Sequence, residues 1–127
     1  MIIIKNTVNT PYIKLDIDTG VLNIMGRSFP EYPELFYAPI MLEVEKYNEQ
    51  LKITKMTLRI ALEIINSGSI RCIFGLVRDL YELSAEMEIL WYYEIDDESM
   101  LHEGLIYKEA FPDSKFKLIE VEDLRKI

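Results

Sequence analysis

The chain has 127 residues, half of them apolar, with 14 basic and 22 acidic side chains and a formal net charge of −8. That size suits one domain with a real core, and the acidic balance argues against nucleic acid, since no basic patch exists to displace the counterions of a phosphate backbone. No apolar run is long enough to span a bilayer. Met1-Ile2-Ile3-Ile4 is too short for a signal-peptide core, and the lone Cys72 cannot form an intramolecular disulfide, so the chain reads as cytoplasmic.

Tyr12 to Asp16 alternates as a strand does, Asp18-Thr19-Gly20 reads as a turn, and Val21 to Met25 reads as the returning strand of a hairpin. Gly26 to Pro33 is a loop. Pro33 and Glu34 suit the first turn of a helix predicted to run to about Asn48, with a kink or an irregular first half at Pro39. Met56 to Ile65 follows as a strand, with Leu58, Ile60, Leu62 and Ile64 on one face and Ala61 and Ile65 on the other, the pattern of a strand interior to a covered sheet. After Asn66-Ser67-Gly68-Ser69, the spacing of Ile70, Ile73, Phe74, Val77, Leu80 and Tyr81 predicts a helix from Ile70 to about Leu83. Met87 to Tyr93 is an aromatic-rich strand, and Glu94 to Glu98 a turn into a helix from about Ser99 to Ala110. Phe111 to Ser114 breaks that helix, Phe116 to Val121 is a last strand, and Glu122 to Ile127 a short polar tail.

The order β-β-α-β-α-β-α-β defines an α/β domain with a mixed sheet. Right-handed β-α-β crossovers make the second to fifth strands parallel, with the first antiparallel as a hairpin arm. Leu62, Ile64, Ile73, Phe74, Val77 and Leu80 are the expected core. Parallel strands also bring three loops to one carboxyl edge, the usual binding edge of open α/β sheets. They are Gly26–Pro33, Asn66–Ser69 and Glu94–Glu98.

Asn66-Ser67-Gly68-Ser69 is the stretch with most to say about function. It joins a buried strand to the amino end of a helix, where free N–H groups favour negative charge. A phosphate fits there, on a ligand or on a serine. The plainer reading is that one of the polar residues caps the helix. Gly68 fits a sharp turn or a close approach by another backbone. Glu94, Asp96, Asp97 and Glu98 match no calcium loop, and acidic residues at a helix start need no metal. His102 has no neighbouring partner in sequence and reads as solvated. Cys72 falls in the first turn of the helix, where a thiol pKa can drop, but a small core residue is the commoner outcome. No P-loop, nucleophile elbow, zinc-protease or paired-cysteine motif is present, so no catalytic residue, metal or cofactor is expected. The chain looks like a binding module. The alternative is a small nucleotide-binding or enzymatic domain using the same edge.

Three blocks resemble the SiaC family of small bacterial regulatory phosphoproteins. They are Gly26-Arg27-Ser28-Phe29-Pro30-Glu31 continuing to Phe36-Tyr37-Ala38-Pro39; Leu62-Glu63-Ile64-Ile65-Asn66-Ser67-Gly68-Ser69; and Trp91-Tyr92-Tyr93-Glu94, Asp96-Asp97-Glu98-Ser99-Met100 and Gly104. Together they span most of the chain, from about Leu22 to Phe111. The resemblance implies a fold like the STAS domains of anti-sigma-factor antagonists. It also implies a partner switch: a GHKL-type serine/threonine kinase modifies the loop hydroxyl, a PP2C-type phosphatase removes the phosphate, and the unmodified form binds and activates an output protein such as a diguanylate cyclase. Ser67 corresponds to the family's phosphorylated threonine, with Ser69 the alternative acceptor. Gly68 replaces a serine, which removes one hydroxyl and loosens the loop. The expected partner-binding edge comprises Arg27, Ser28, Glu31, Arg71, Glu94, Asp96 and Asp97.

Overall fold

A computed structural model describes residues 1–47 and 53–127. The strands are β1 (Ile2–Ile4), β2 (Tyr12–Asp16), β3 (Val21–Ser28), β4 (Ile53–Ile65), β5 (Ser84–Glu94) and β6 (Lys115–Val121). The helices are α1 (Pro33–Glu45), α2 (Ser67–Leu83) and α3 (Glu98–Ala110), and a 3₁₀ turn covers Leu124–Lys126. The strands form one sheet in sequence order, β1-β2-β3-β4-β5-β6. β2 pairs antiparallel with both β1 and β3, and every later pair is parallel.

Three successive β-α-β crossovers each step one strand further the same way; such units are right-handed as a rule, which puts successive helices on one face of the sheet. Rows of paired side chains build the core beneath them. Leu22, Leu58, Ile89 and Phe116 are in register, as are Ile24, Ile60, Trp91 and Leu118. Except for the edge residues Phe116 and Leu118, all of these are buried. The Trp91 indole N–H donates to the Met100 carbonyl of α3 at 2.9 Å, and its ring lies 4.7 Å from that of Tyr107. Phe74 of α2 meets the same Tyr107 edge-on at 5.3 Å. The opposite face is half open. There the Arg59 guanidinium lies 5.5 Å from the centre of the Tyr92 ring. Leu124, in the tail expected to be merely polar, is buried, and its N–H donates to the Glu94 carboxylate at 3.1 Å.

The element order matches the expectation from β2 onward, with one strand more. Ile2–Ile4 pairs with β2, Ile2 opposite Leu15 and Ile4 opposite Ile13. Three residues are too few to show a period, so this strand is visible only through its partner. Among the described residues, β2 is therefore the one strand that runs against the others. α1 ends at Glu45, short of the expected end; Asn48 itself lies outside the described residues. The helix continues through Pro39 without a break. Pro39 and Leu35, whose carbonyl loses its donor, are both exposed, so water can serve that carbonyl.

Ile64 was expected in the core but is 47% exposed. The cause is a bulge: Gly26 pairs with Leu62 but Arg27 with Ile64, so Glu63 is an extra residue on β4. One inserted residue turns the rest of the strand over. Ile64 swings outward and Ile65 packs on the core instead. Gly26 takes φ +115°, which a side chain would resist. Phe74 is only partly buried; Leu62, Ile73, Val77 and Leu80 are buried as expected.

Candidate functional site

The carboxyl ends of β3, β4 and β5 point the same way because those strands are parallel. At the end of β4, Asn66 ties three segments together. Its N–H donates to the Ser28 carbonyl at 2.9 Å, its side-chain N–H to the Pro30 carbonyl at 3.0 Å, and its Oδ1 accepts from the Ser69 N–H at 2.9 Å. The last contact is a helix N-cap, so α2 starts at Ser67, three residues before the expected start. The hydroxyl-rich stretch is therefore the helix's first turn.

That shift separates residues that the sequence treats alike. Ser67, at the first helical position, is exposed. Gly68 is buried: a Cβ there would come within 2.6 Å of the Pro33 ring at the head of α1. The glycine does not loosen a loop; it lets two helix ends touch. Ser69 is fully buried, and its hydroxyl accepts from Ser28 Oγ at 2.8 Å. Ser28 Oγ lies 2.6 Å from the Tyr37 hydroxyl. Ser28 has a single proton and gives it to Ser69, so Tyr37 donates to Ser28. Burial pushes the Tyr37 pKa up to about 12, which keeps this donor protonated.

The expected partner edge divides in the same way. Ser28 is fully buried inside this hydroxyl chain and cannot face a partner. Arg27, Glu31, Arg71 and Asp96 are exposed. Arg27 donates to the extra residue Glu63 at 3.0 Å. Glu94 and Asp97 are half-buried and committed locally: Glu94 holds the 3₁₀ turn, and Asp97 accepts from the Met100 N–H at 3.1 Å as the cap of α3. Asp96 turns the loop with φ +71°. Tyr37, Pro33 and Glu63 support the site, although of these the sequence marks only Pro33, and that as a helix start. Tyr37 lies within the quoted Phe36–Pro39 block, yet nothing in its spacing marks an inward hydroxyl.

Cys72 sits in the second turn of α2, half-buried, and burial followed by the Glu34 carboxylate pushes its thiol pKa up. His102 is exposed. Among the described residues, no cluster of three or more histidine, cysteine, aspartate or glutamate side chains is placed to hold a metal, and no helix is long and apolar enough to cross a membrane. A shallow groove between α1 and α2, edged by Glu34 and Arg71, opens beside the helix heads.

The site is thus an exposed serine on the first residue of a neutrally capped helix, at the carboxyl edge of a one-sided α/β sheet. The chain belongs to the SiaC family, whose model, described as SiaC family regulatory phosphoprotein, matches residues 4–121. Among solved structures it is similar to SiaC of Pseudomonas aeruginosa. The chain found in the crystal structure of the diguanylate cyclase SiaD with its activator SiaC has a TM-score of 0.81 at 21% identity, covering 95% of this chain and 100% of that one. SiaC alone gives 0.72 at 21% identity, covering 93% of this chain and 94% of that one. Apo-SiaC gives 0.71 at 22% identity, covering 94% and 96%. None of the curated proteins matches the chain by sequence.

Proposed function

We propose that this protein is a cytoplasmic, phosphorylation-controlled binding protein in which Ser67 is the acceptor. It acts by association and carries out no catalysis of its own. Its unmodified form binds and activates an output protein, a diguanylate cyclase as in the SiaD complex of the Pseudomonas aeruginosa relative. A GHKL-type kinase adds the phosphate and a PP2C-type phosphatase removes it. The observation that carries this reading is the split between the two serines: the Ser67 hydroxyl is open to solvent, whereas Ser69 is fully buried and hydrogen-bonded to Ser28. A kinase reaches the first without disturbing the fold.

The chemistry favours a switch. A phosphate adds nearly two negative charges and three acceptor oxygens. The helix dipole tolerates it at the first position of α2, whose own first turn carries no acidic side chain. Against a partner the same group adds bulk, desolvation cost and charge. A coupling of about 3 kcal/mol corresponds to roughly a hundredfold weaker binding.

The test combines mass spectrometry after treatment with the cognate kinase and titration calorimetry with the cyclase. Ser67→Ala abolishes modification and keeps binding; Ser67→Asp weakens binding, though less than phosphate does. Modification of Ser69 instead overturns the acceptor assignment. If neither serine is modified and both variants bind as wild type does, the switch reading fails.

A further inference from the structure

Resting on the reading of Ser67 as acceptor, we propose that a phosphate there takes Arg71 away from Glu34. The mark is then an exchange of ion-pair partners between α2 and α1 as well as an added charge. Ser67 and Arg71 are four residues apart on α2, hence on one face and one turn from each other, and both are exposed. The negative group would lie on the amino-terminal side of the cation, the better orientation for such a pair. A guanidinium presents a planar fork of donors that suits a phosphate's oxygens.

The present partner of Arg71 is easily displaced. Its Nη2 lies 3.8 Å from Glu34 Oε1, beyond hydrogen-bond distance, and the two side chains are 71% and 69% exposed. Ion pairs so open to water hold their geometry weakly. The other nearby cations are worse placed to compete. Arg27 is hydrogen-bonded to Glu63 at 3.0 Å. Arg78 is 11 residues further along α2 than Ser67, about 16 Å of helix axis, beyond the screening length at ordinary salt. Once Arg71 turns to the phosphate, Glu34 is left unpaired across the mouth of the α1–α2 groove. That rim passes from a neutral pair to net negative, one helix away from the modified residue.

The experiment uses full-length protein with phosphoserine installed at position 67 during synthesis, titrated by phosphorus NMR. A bound cation favours the dianion, so Arg71→Gln raises the second phosphate pKa by about half a unit, a roughly threefold change in proton affinity. Arg71→Lys restores most of the difference, and Arg78→Gln leaves the value unchanged. A second readout follows the Arg71 Nε–H resonance. Glu34→Gln moves it in the unmodified protein and leaves it in place in the phosphoprotein. Equal phosphate pKa values in wild type and Arg71→Gln, or an Arg71 resonance that still answers to Glu34→Gln after phosphorylation, overturn the exchange. Because no kinase is involved, this outcome is separate from the acceptor assignment. A kinase that ignores Ser67 sinks the switch and leaves the ion-pair exchange standing.

Discussion

The heads of α2 and α3 are built to one plan and used differently. Each follows a strand in the parallel part of the sheet. Each is capped by a side-chain oxygen that accepts from the N–H three residues on, Asn66 from Ser69 and Asp97 from Met100. In α3 the cap is a carboxylate and the first helical residue is Glu98, so the positive end of the dipole is already answered. In α2 the cap is a neutral amide, the first helical residue is Ser67, and the first turn holds no acid. The amide keeps the capping bond and omits the charge. One helix head is electrostatically complete; the other has room for an anion that can come and go.

The second helical position gives the largest expected effect. Gly68 of α2 is buried against Pro33, whereas its counterpart Ser99 in α3 is exposed. Gly68→Ala should lower stability by about 1–3 kcal/mol, because the Pro33 ring cannot yield without moving the head of α1. Ser99→Ala should stay within about 0.5 kcal/mol of wild type. Urea denaturation of the two variants decides, and equal small effects would mean that the heads of α1 and α2 are not locked.

The hydroxyl chain comes next. Ser28→Ala removes the acceptor of the Tyr37 hydroxyl and the donor to Ser69 in a buried site, at a cost of about 1–3 kcal/mol. Tyr37 also shapes the alkaline limb of stability. An unfolded tyrosine ionises near its model value of 10, while burial holds the folded one at about 12. The unfolded chain therefore loses its proton first, so the contribution is intact below pH 10 and is lost as pH rises through 12. Tyr37→Phe should make stability fall less steeply over that window, as read from denaturant midpoints between pH 9 and 12.

Much of this architecture could be read from the residues, and the failures share a cause. The hairpin, the parallel strands and the starts of α1 and α3 follow from periodicity, turn residues and Pro33. What escaped depends on contacts with residues distant in sequence. Ile2–Ile4 becomes a strand only beside β2. Glu63 looks like the polar step of an alternating strand, and nothing local says that it is the extra residue that turns Ile64 outward. Asn66, Ser67 and Ser69 are all good caps in isolation. Only the clasp of Asn66 on Ser28 and Pro30 selects the first, and that choice places Ser67 outside and Ser69 inside. Gly68 looks permissive until Pro33 is seen against it.

The smallest effect tests the electrostatic contrast most directly. Ser67→Asp places a charge at the first position of α2, near free N–H groups and with little packing to disturb. It should raise stability by about 0.3–1 kcal/mol at low salt, with most of the gain lost near 1 M salt as the dipole is screened. The matching change in α3, Glu98→Gln, should lower stability by a similar amount and with the same salt dependence, since it removes a charge already in use. A Ser67→Asp variant no more stable than wild type would show that the head of α2 does not hold room for one anion. The difference between the two helix heads would then reside in packing alone.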